Sequence, residues 1–313
     1  MSLYQYILRR LLYVIPVLLG VCLIIFVLFN LVAPDPAYTL LGKHATVEQI
    51  KELHHELGMD KSYFLQYLDT VKTAFTFDFG YSWSSKQNIW EMIRAGAGPS
   101  LSITVPLFVI SNTLAISLAL FVAFYRGKFI DKFVLVLSIS GMSIPSLAVI
   151  LFGQWFFAYK LGIFEISGYE RGFPDFIPYV ILPVILYVFI FFGGDTRFYR
   201  TVILDEAYQD YVRTARSKGL SEMKIMFKHV LKNSMIPILT SIIIQIPTLI
   251  LGLLFAESFF GIPGLGGMVL KAINTSDFPV IKAMTIFSAV GFILFGVVTD
   301  VLYTVFDPRM KLK

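Results

Sequence analysis

His54, His55 and Glu56 are the one place in this sequence where metal-binding side chains crowd together. Adjacent residues of a helix point in different directions, and a metal site needs ligands that converge. No further histidine is suitably spaced, so the triplet reads as a solvated helix face and no metal is expected. Residues 261–267, GIPGLGG, are rich enough in glycine to suggest a phosphate cradle. No strand precedes them and they fit no nucleotide fingerprint, so a tight turn dipping toward the membrane is expected instead. The pattern G-x-x-x-x-G-K-[ST] is absent, which puts any ATP hydrolysis on another chain. No Ser/His/Asp or Cys/His grouping stands out, and the expectation is that the chain is not an enzyme. Asn112, Gln154 and Gln245 interrupt apolar stretches. They are candidates to line a polar path, or simply to hydrogen-bond between helices.

The most charged chemistry lies at residues 210–239, DYVRTARSKGLSEMKIMFKHVLKNSMIPIL, where six residues are Lys or Arg. Met223, Met226, Phe227, Val230 and Leu231 recur at helical spacing and would share one apolar face. Lys224, Lys228 and Lys232 step by four along another face. Ahead of them Tyr208, Tyr211, Val212 and Ala215 make a second apolar stripe, flanked by Arg213 and Arg216. Gly219 separates the two patterns, and Ser221 with Glu222 is placed to start the second helix. The expected structure is helix, glycine turn, helix. Periodicity leaves its occupant open: anionic lipid headgroups or the surface of another protein.

The elements that carry this segment belong to a membrane. Hydrophobic residues make up 57% of the chain and charged residues 15%, both outside the range of an ordinary soluble domain. The excess forms long runs at 11–34, 95–125, 133–159, 176–194, 233–256 and 283–306, the last interrupted by Asp300. A bilayer core needs about 20 apolar residues per helix, so six transmembrane helices are expected in an all-α, polytopic fold, with Asp300 near an interface. Pro106, Pro145, Pro183 and Pro247 lie within the runs and predict kinks. Lys and Arg concentrate ahead of the first run, after the second, between the fourth and fifth, and at the C-terminus, so both termini are expected in the cytoplasm. The formal net charge of +5 reflects this asymmetry rather than nucleic-acid binding. The first run is too long for a cleaved signal peptide and reads as an uncleaved anchor. Cys22, the single cysteine, permits no intrachain disulfide. Residues 1–96 read as one span plus an external segment holding one or two short amphipathic helices. Residues 97–313 read as a five-helix bundle, with the basic segment at about 205–232.

DYVRTARSKGLSEMKIMFKHVLKNSMIPIL resembles the cytoplasmic loop of the inner-membrane permeases of binding-protein-dependent ABC importers, in their dipeptide/oligopeptide/nickel branch. The broader importer pattern begins Glu-Ala-Ala, with a glycine four residues after its last alanine. Ala215 and Gly219 keep that spacing, while Arg213 and Thr214 stand where the broader pattern has Glu and Ala. Glu206-Ala207 is a literal match but too far from Gly219. YILRRLLYVIPVLLGVCLIIFVLFNLVAPDPA, LGMDKSYFLQYL, FDFGYSW, AESFFGIPGLGGMVLKAINTSDFPV and DVLYTVFDPRMK are similar to further segments of the branch in the same order. The branch more often has Gly where this chain has Pro34.

The resemblance implies the type I ABC importer transmembrane fold and a bacterial inner-membrane location. It implies a second homologous permease subunit, two ATPase subunits that bind ATP and Mg, and an extracytoplasmic substrate-binding protein; no cofactor is expected in this chain. It also implies that the basic segment docks into a groove on an ATPase. Arg213, Thr214, Ala215, Arg216, Lys218, Gly219, Leu220, Ser221, Met223, Met226 and Phe227 then form the coupling surface. Leu220, Met223, Met226 and Phe227 would fill the groove, Arg213, Arg216 and Lys218 would line its rim, and Gly219 would permit a sharp turn and close backbone approach. Peptides are the cargo the resemblance suggests, with nickel or another small solute as the alternative. A transporter or channel working without ATP, its basic segment on lipid, is the competing reading.

Overall fold

A computed structural model describes residues 3–42 and 45–306. The helices are α1 (Leu3–Phe26), α2 (Pro36–Leu41), α3 (Val47–Glu56), α4 (Tyr63–Thr76), α5 (Ile89–Phe124), α6 (Phe129–Ser143), α7 (Ser146–Gly153), α8 (Ile177–Ala207), α9 (Asp210–Ser217), α10 (Glu222–Ile225), α11 (Lys232–Gln245), α12 (Thr248–Leu251), α13 (Leu254–Phe259), α14 (Leu265–Asn274) and α15 (Phe278–Phe306). Wider π-helical turns extend α1 through Val27–Val32, follow α7 at Gln154–Lys160, and join α10 to α11 at Met226–Leu231. Among the described residues no strand forms; a single antiparallel bridge pairs Tyr81 with Asn88. The side chain of Asp300 and the end of the last motif, residues 307–313, lie outside the described residues.

Four of the six predicted spans are single helices of sufficient length and apolarity: Leu12–Val32, Ile89–Phe124, Ile177–Ala207 and Phe278–Thr299. The run 133–159 divides into Phe129–Ser143 and Ser146–Lys160, which meet at 94°. Pro145 stands at the break, and the residue ahead of it, Ile144, is extended, as proline's ring demands of its predecessor. Pro106 and Pro183 are instead accommodated inside α5 and α8. The run 233–256 departs most from expectation. It is shared by α11, a turn at 246–247 containing Pro247, α12 and the start of α13, so no single helix there has spanning length among the described residues.

The helices assemble around α5 and α8, which make the most extensive helix pair. The α6–α8 crossing is close because of glycine: a β-carbon on Gly193 would stand 2.7 Å from the Ser138 carbonyl oxygen. A second lock joins the same helices. Asp131 accepts from Arg200 Nε at 2.8 Å and Nη2 at 2.9 Å, and from the Gly127 backbone N–H at 2.8 Å. Both side chains are largely withdrawn from solvent, at 6% and 18% exposure. Removing one member of such a pair strands the other charge. Arg200→Met is therefore expected to cost about 3–5 kcal/mol. A drop in the thermal transition of the detergent-purified protein, largely recovered in the Asp131→Leu/Arg200→Met double variant, checks it.

The segment between α1 and α5, where one or two short amphipathic helices are expected, forms two, α3 and α4, after the short α2. Thr46 and Gln49 form a reciprocal capping box on α3, and Gly58, at φ +67°, turns the chain between the two helices. Tyr67 donates to the Leu19 carbonyl at 3.1 Å and Asn30 to Gln66 at 2.7 Å, which ties the pair to α1. His54 and His55 face different carboxylates, Asp35 at 2.9 Å and Asp60 at 2.6 Å. The hydrogen bond to Asp60 raises the His55 pKa above its ordinary value and lowers that of Asp60.

The glycine-rich stretch predicted as a turn forms a compact knot around Glu257, which is fully buried. Its Oε1 accepts from Ser100 Oγ at 2.8 Å and the Leu253 N–H at 3.0 Å, and its Oε2 from the Gly267 N–H at 2.9 Å. Ser100 Oγ in turn accepts from the Leu265 N–H at 2.7 Å, so α5, α13 and α14 share one carboxylate.

Candidate functional site

The basic segment folds as helix, turn, helix. α9 ends in a Schellman motif: the Leu220 N–H bonds the Ala215 carbonyl at 3.4 Å and the Gly219 N–H bonds that of Arg216 at 2.9 Å. The motif requires a left-handed residue, and Gly219 supplies it at φ +75°. Nothing lies within 4 Å of where its β-carbon would be, so within this chain Gly219 serves the turn rather than a close approach.

Behind this turn the segment is rooted in the bundle. Val212, Ala215, Ile225, Met226 and Val230 are buried in one apolar core with Ala119 of α5, Tyr199 and Ile203 of α8, and Ile238 of α11. Tyr211 adds a polar tie, donating to Glu206 at the end of α8. Burial and that carboxylate push its pKa up to about 12, which keeps it a neutral donor.

The apolar stripe of the second half does not stay on one face. Met226 and Val230 are buried, whereas Met223 and Phe227 are 64% and 58% exposed. The π-helical turn at Met226–Leu231 explains this: its wider repeat puts residues spaced by four in register. Met226, Val230, Ser234 and Ile238 form the inner row, and Lys224, Lys228 and Lys232 an exposed one. Met226 thus belongs to the chain's own core and is withdrawn from the set that could fill a partner's groove; Leu220, Met223 and Phe227 remain. Arg216 also changes role. Its Nε meets Glu222 Oε1 at 2.8 Å, so its charge is answered inside the segment. Arg213 and Lys218 are exposed, with Arg213 only loosely paired to Asp210 at 3.4 Å. Thr214 and Ser221 are exposed beside them. Thr214, Lys218, Leu220, Lys224, Lys228 and His229 contribute to the wall of a basic recess of about 490 Å³ on this surface.

The three polar residues read as path candidates separate. Gln154 lies apart, its amide donating to the Ile166 carbonyl at 2.7 Å and that of Phe259 at 3.0 Å, so it ties the loop ahead of α8 to the end of α13. Asn112 and Gln245 meet. Tyr199 donates to Asn112 Oδ1 at 2.6 Å, Asn112 to Gln245 Oε1 at 3.4 Å, and Gln245 to Asp195 Oδ1 at 3.3 Å. This relay edges a cavity of about 440 Å³ between α5, α8, α11 and α12. Asp195 is the member that the apolar runs did not flag, because the fourth run ends at Gly194. α8 continues far beyond it, which makes Asp195 a residue within a helix rather than a boundary.

The chain is 30% identical to the dipeptide transport system permease protein of Alkalihalophilus pseudofirmus, over 98% of this chain and 99% of that one. It is 30% identical to a glutathione transport system permease protein of Shigella flexneri over 99% of both. It is 31% identical to a putative peptide transport system permease protein of Brucella abortus, over 97% and 98%. Residues 3–104 match the N-terminal part of binding-protein-dependent transport system membrane components. Residues 115–312 match the inner membrane component itself, and the chain belongs to this family of multi-pass permease subunits, with the type I ABC importer membrane fold.

Proposed function

We propose that this chain is a permease subunit of a peptide importer, powered by ATPase subunits that dock on α9 and α10. It pairs with a second, homologous permease, receives cargo from an extracytoplasmic binding protein, and keeps both termini in the cytoplasm. ATP and Mg are bound by the ATPases. The observation that carries this reading is the shared core of Val212, Ala215, Ile225 and Met226 with α5 and α8. A push on the hairpin's exposed side must move the spans, because packed cores deform little. The near-full-length match to peptide and glutathione permeases supports the cargo class.

The test is co-purification with ATPase subunits and uptake of peptide by the assembled importer. Met223→Asp or Phe227→Asp, on the exposed side, is expected to lose both while the permease still inserts. Full ATPase retention and normal uptake in both variants would overturn the docking assignment.

A further inference from the structure

Three of the carboxylates withdrawn into this bundle are saturated by their surroundings. Asp131 has Arg200 and the Gly127 N–H. Glu257 has Ser100 and two backbone N–H groups. Asp277 has the Ser82 hydroxyl at 2.5 Å and the N–H groups of Trp83 and Ser84. Asp195 differs. Among the described residues its one hydrogen bond is the 3.3 Å contact from Gln245 to Oδ1. A carboxylate on a spanning helix is expensive unless a cation or several donors answer it, and such residues mark pathways.

The cavity beside Asp195 has an apolar lining that includes Leu107, Leu249, Leu253 and Leu254, and Asp195 is its one charged group among the described residues. Thr104, Ser111, Asn112 and Thr248 provide neutral polar groups, and Phe108 and Phe191 provide aromatic walls suited to an ammonium. No Lys, Arg or His lines it among the described residues. The relay from Tyr199 through Asn112 and Gln245 runs toward Asp195 and fixes the carboxylate's position. Its volume, about 440 Å³, lies within the range of small-molecule sites.

We propose that Asp195 is a recognition point inside the translocation path for the primary ammonium of the cargo, the α-amino group of a peptide. This rests on the peptide-importer reading above. The contact is one carboxylate with few supporting donors, strong enough to select a cation and weak enough to release it, as conduction requires.

The experiment measures uptake of dialanine and of glutathione, both bearing a free α-ammonium, by the complete importer reconstituted with its ATPases and binding protein. Asp195→Asn keeps an acceptor for Gln245, removes the charge and turns the second oxygen into an amide donor. It is expected to lower uptake about tenfold, the worth of a charge-assisted hydrogen bond, with Asp195→Glu recovering most of it. Thr248→Lys tests the same point with Asp195 intact, by placing a competing ammonium in the cavity; it is expected to lose more uptake than Thr248→Met. Uptake by Asp195→Asn equal to wild type overturns the proposal, as does equal loss in Thr248→Lys and Thr248→Met. Wild-type importer that moves neither peptide overturns instead the peptide reading on which the proposal rests.

Discussion

Replacing Gly219 with valine is expected to abolish uptake while leaving insertion and the transmembrane core intact. Gly219 sits at φ +75°, where an L-residue costs about 1–2 kcal/mol and a β-branched one more. That is a factor of roughly 5–30 against the native turn. The penalty acts on a small element: the two Schellman hydrogen bonds at Ala215 and Arg216, and the course of Lys218 and Leu220 beside the basic recess. A side chain there meets nothing in this chain, so the damage is to the shape of the docking surface, not to internal packing. Gly219→Ala carries the same backbone penalty without β-branching and should fall between wild type and valine. Uptake measured at matched membrane levels checks the series. Wild-type transport by the valine variant would remove the turn from the coupling mechanism.

The turn was legible in sequence because glycine between two helical patterns has a local cause. The inward face of the hairpin was not. Met223, Met226 and Phe227 share a stripe only if the helix keeps its usual repeat, and the π-helical turn from Met226 breaks that condition. Arg216 reads as available in sequence because its partner, Glu222, suits the start of the second helix equally well. Asp195 is hidden for a related reason: in sequence a charge marks the end of an apolar run, yet α8 carries its acid inside. The knot at Glu257 depends on Ser100, 157 residues away, and no periodicity encodes such a pairing. Long apolar runs, by contrast, declare themselves through the bilayer's thickness, and four of the six emerged as single helices.

A loss of folded protein comparable to that of breaking the Asp131–Arg200 pair is expected from that knot. At Gly252, φ is +70°, and a β-carbon would fall onto Glu257 Oε1 and within 2.9 Å of both the Gly266 nitrogen and Ser100 Oγ. Gly252→Ala therefore adds about 1–2 kcal/mol of backbone strain to about 1–3 kcal/mol of overpacking. The neighbours offer little relief, because Glu257 is held by three donors and Ser100 by the Leu265 N–H. Glu257→Gln probes the same site with no change in size. One amide oxygen can replace Oε1, but the NH₂ then faces the Gly267 N–H, leaving a buried donor unpaired at a cost of about 1–3 kcal/mol. Both variants are expected to lower the thermal transition of the purified protein and its amount in the membrane, Gly252→Ala more than Glu257→Gln. Gly219→Val should leave that transition near wild type. An unchanged transition in Gly252→Ala would show that the carboxylate and its donors do not hold α5, α13 and α14 together.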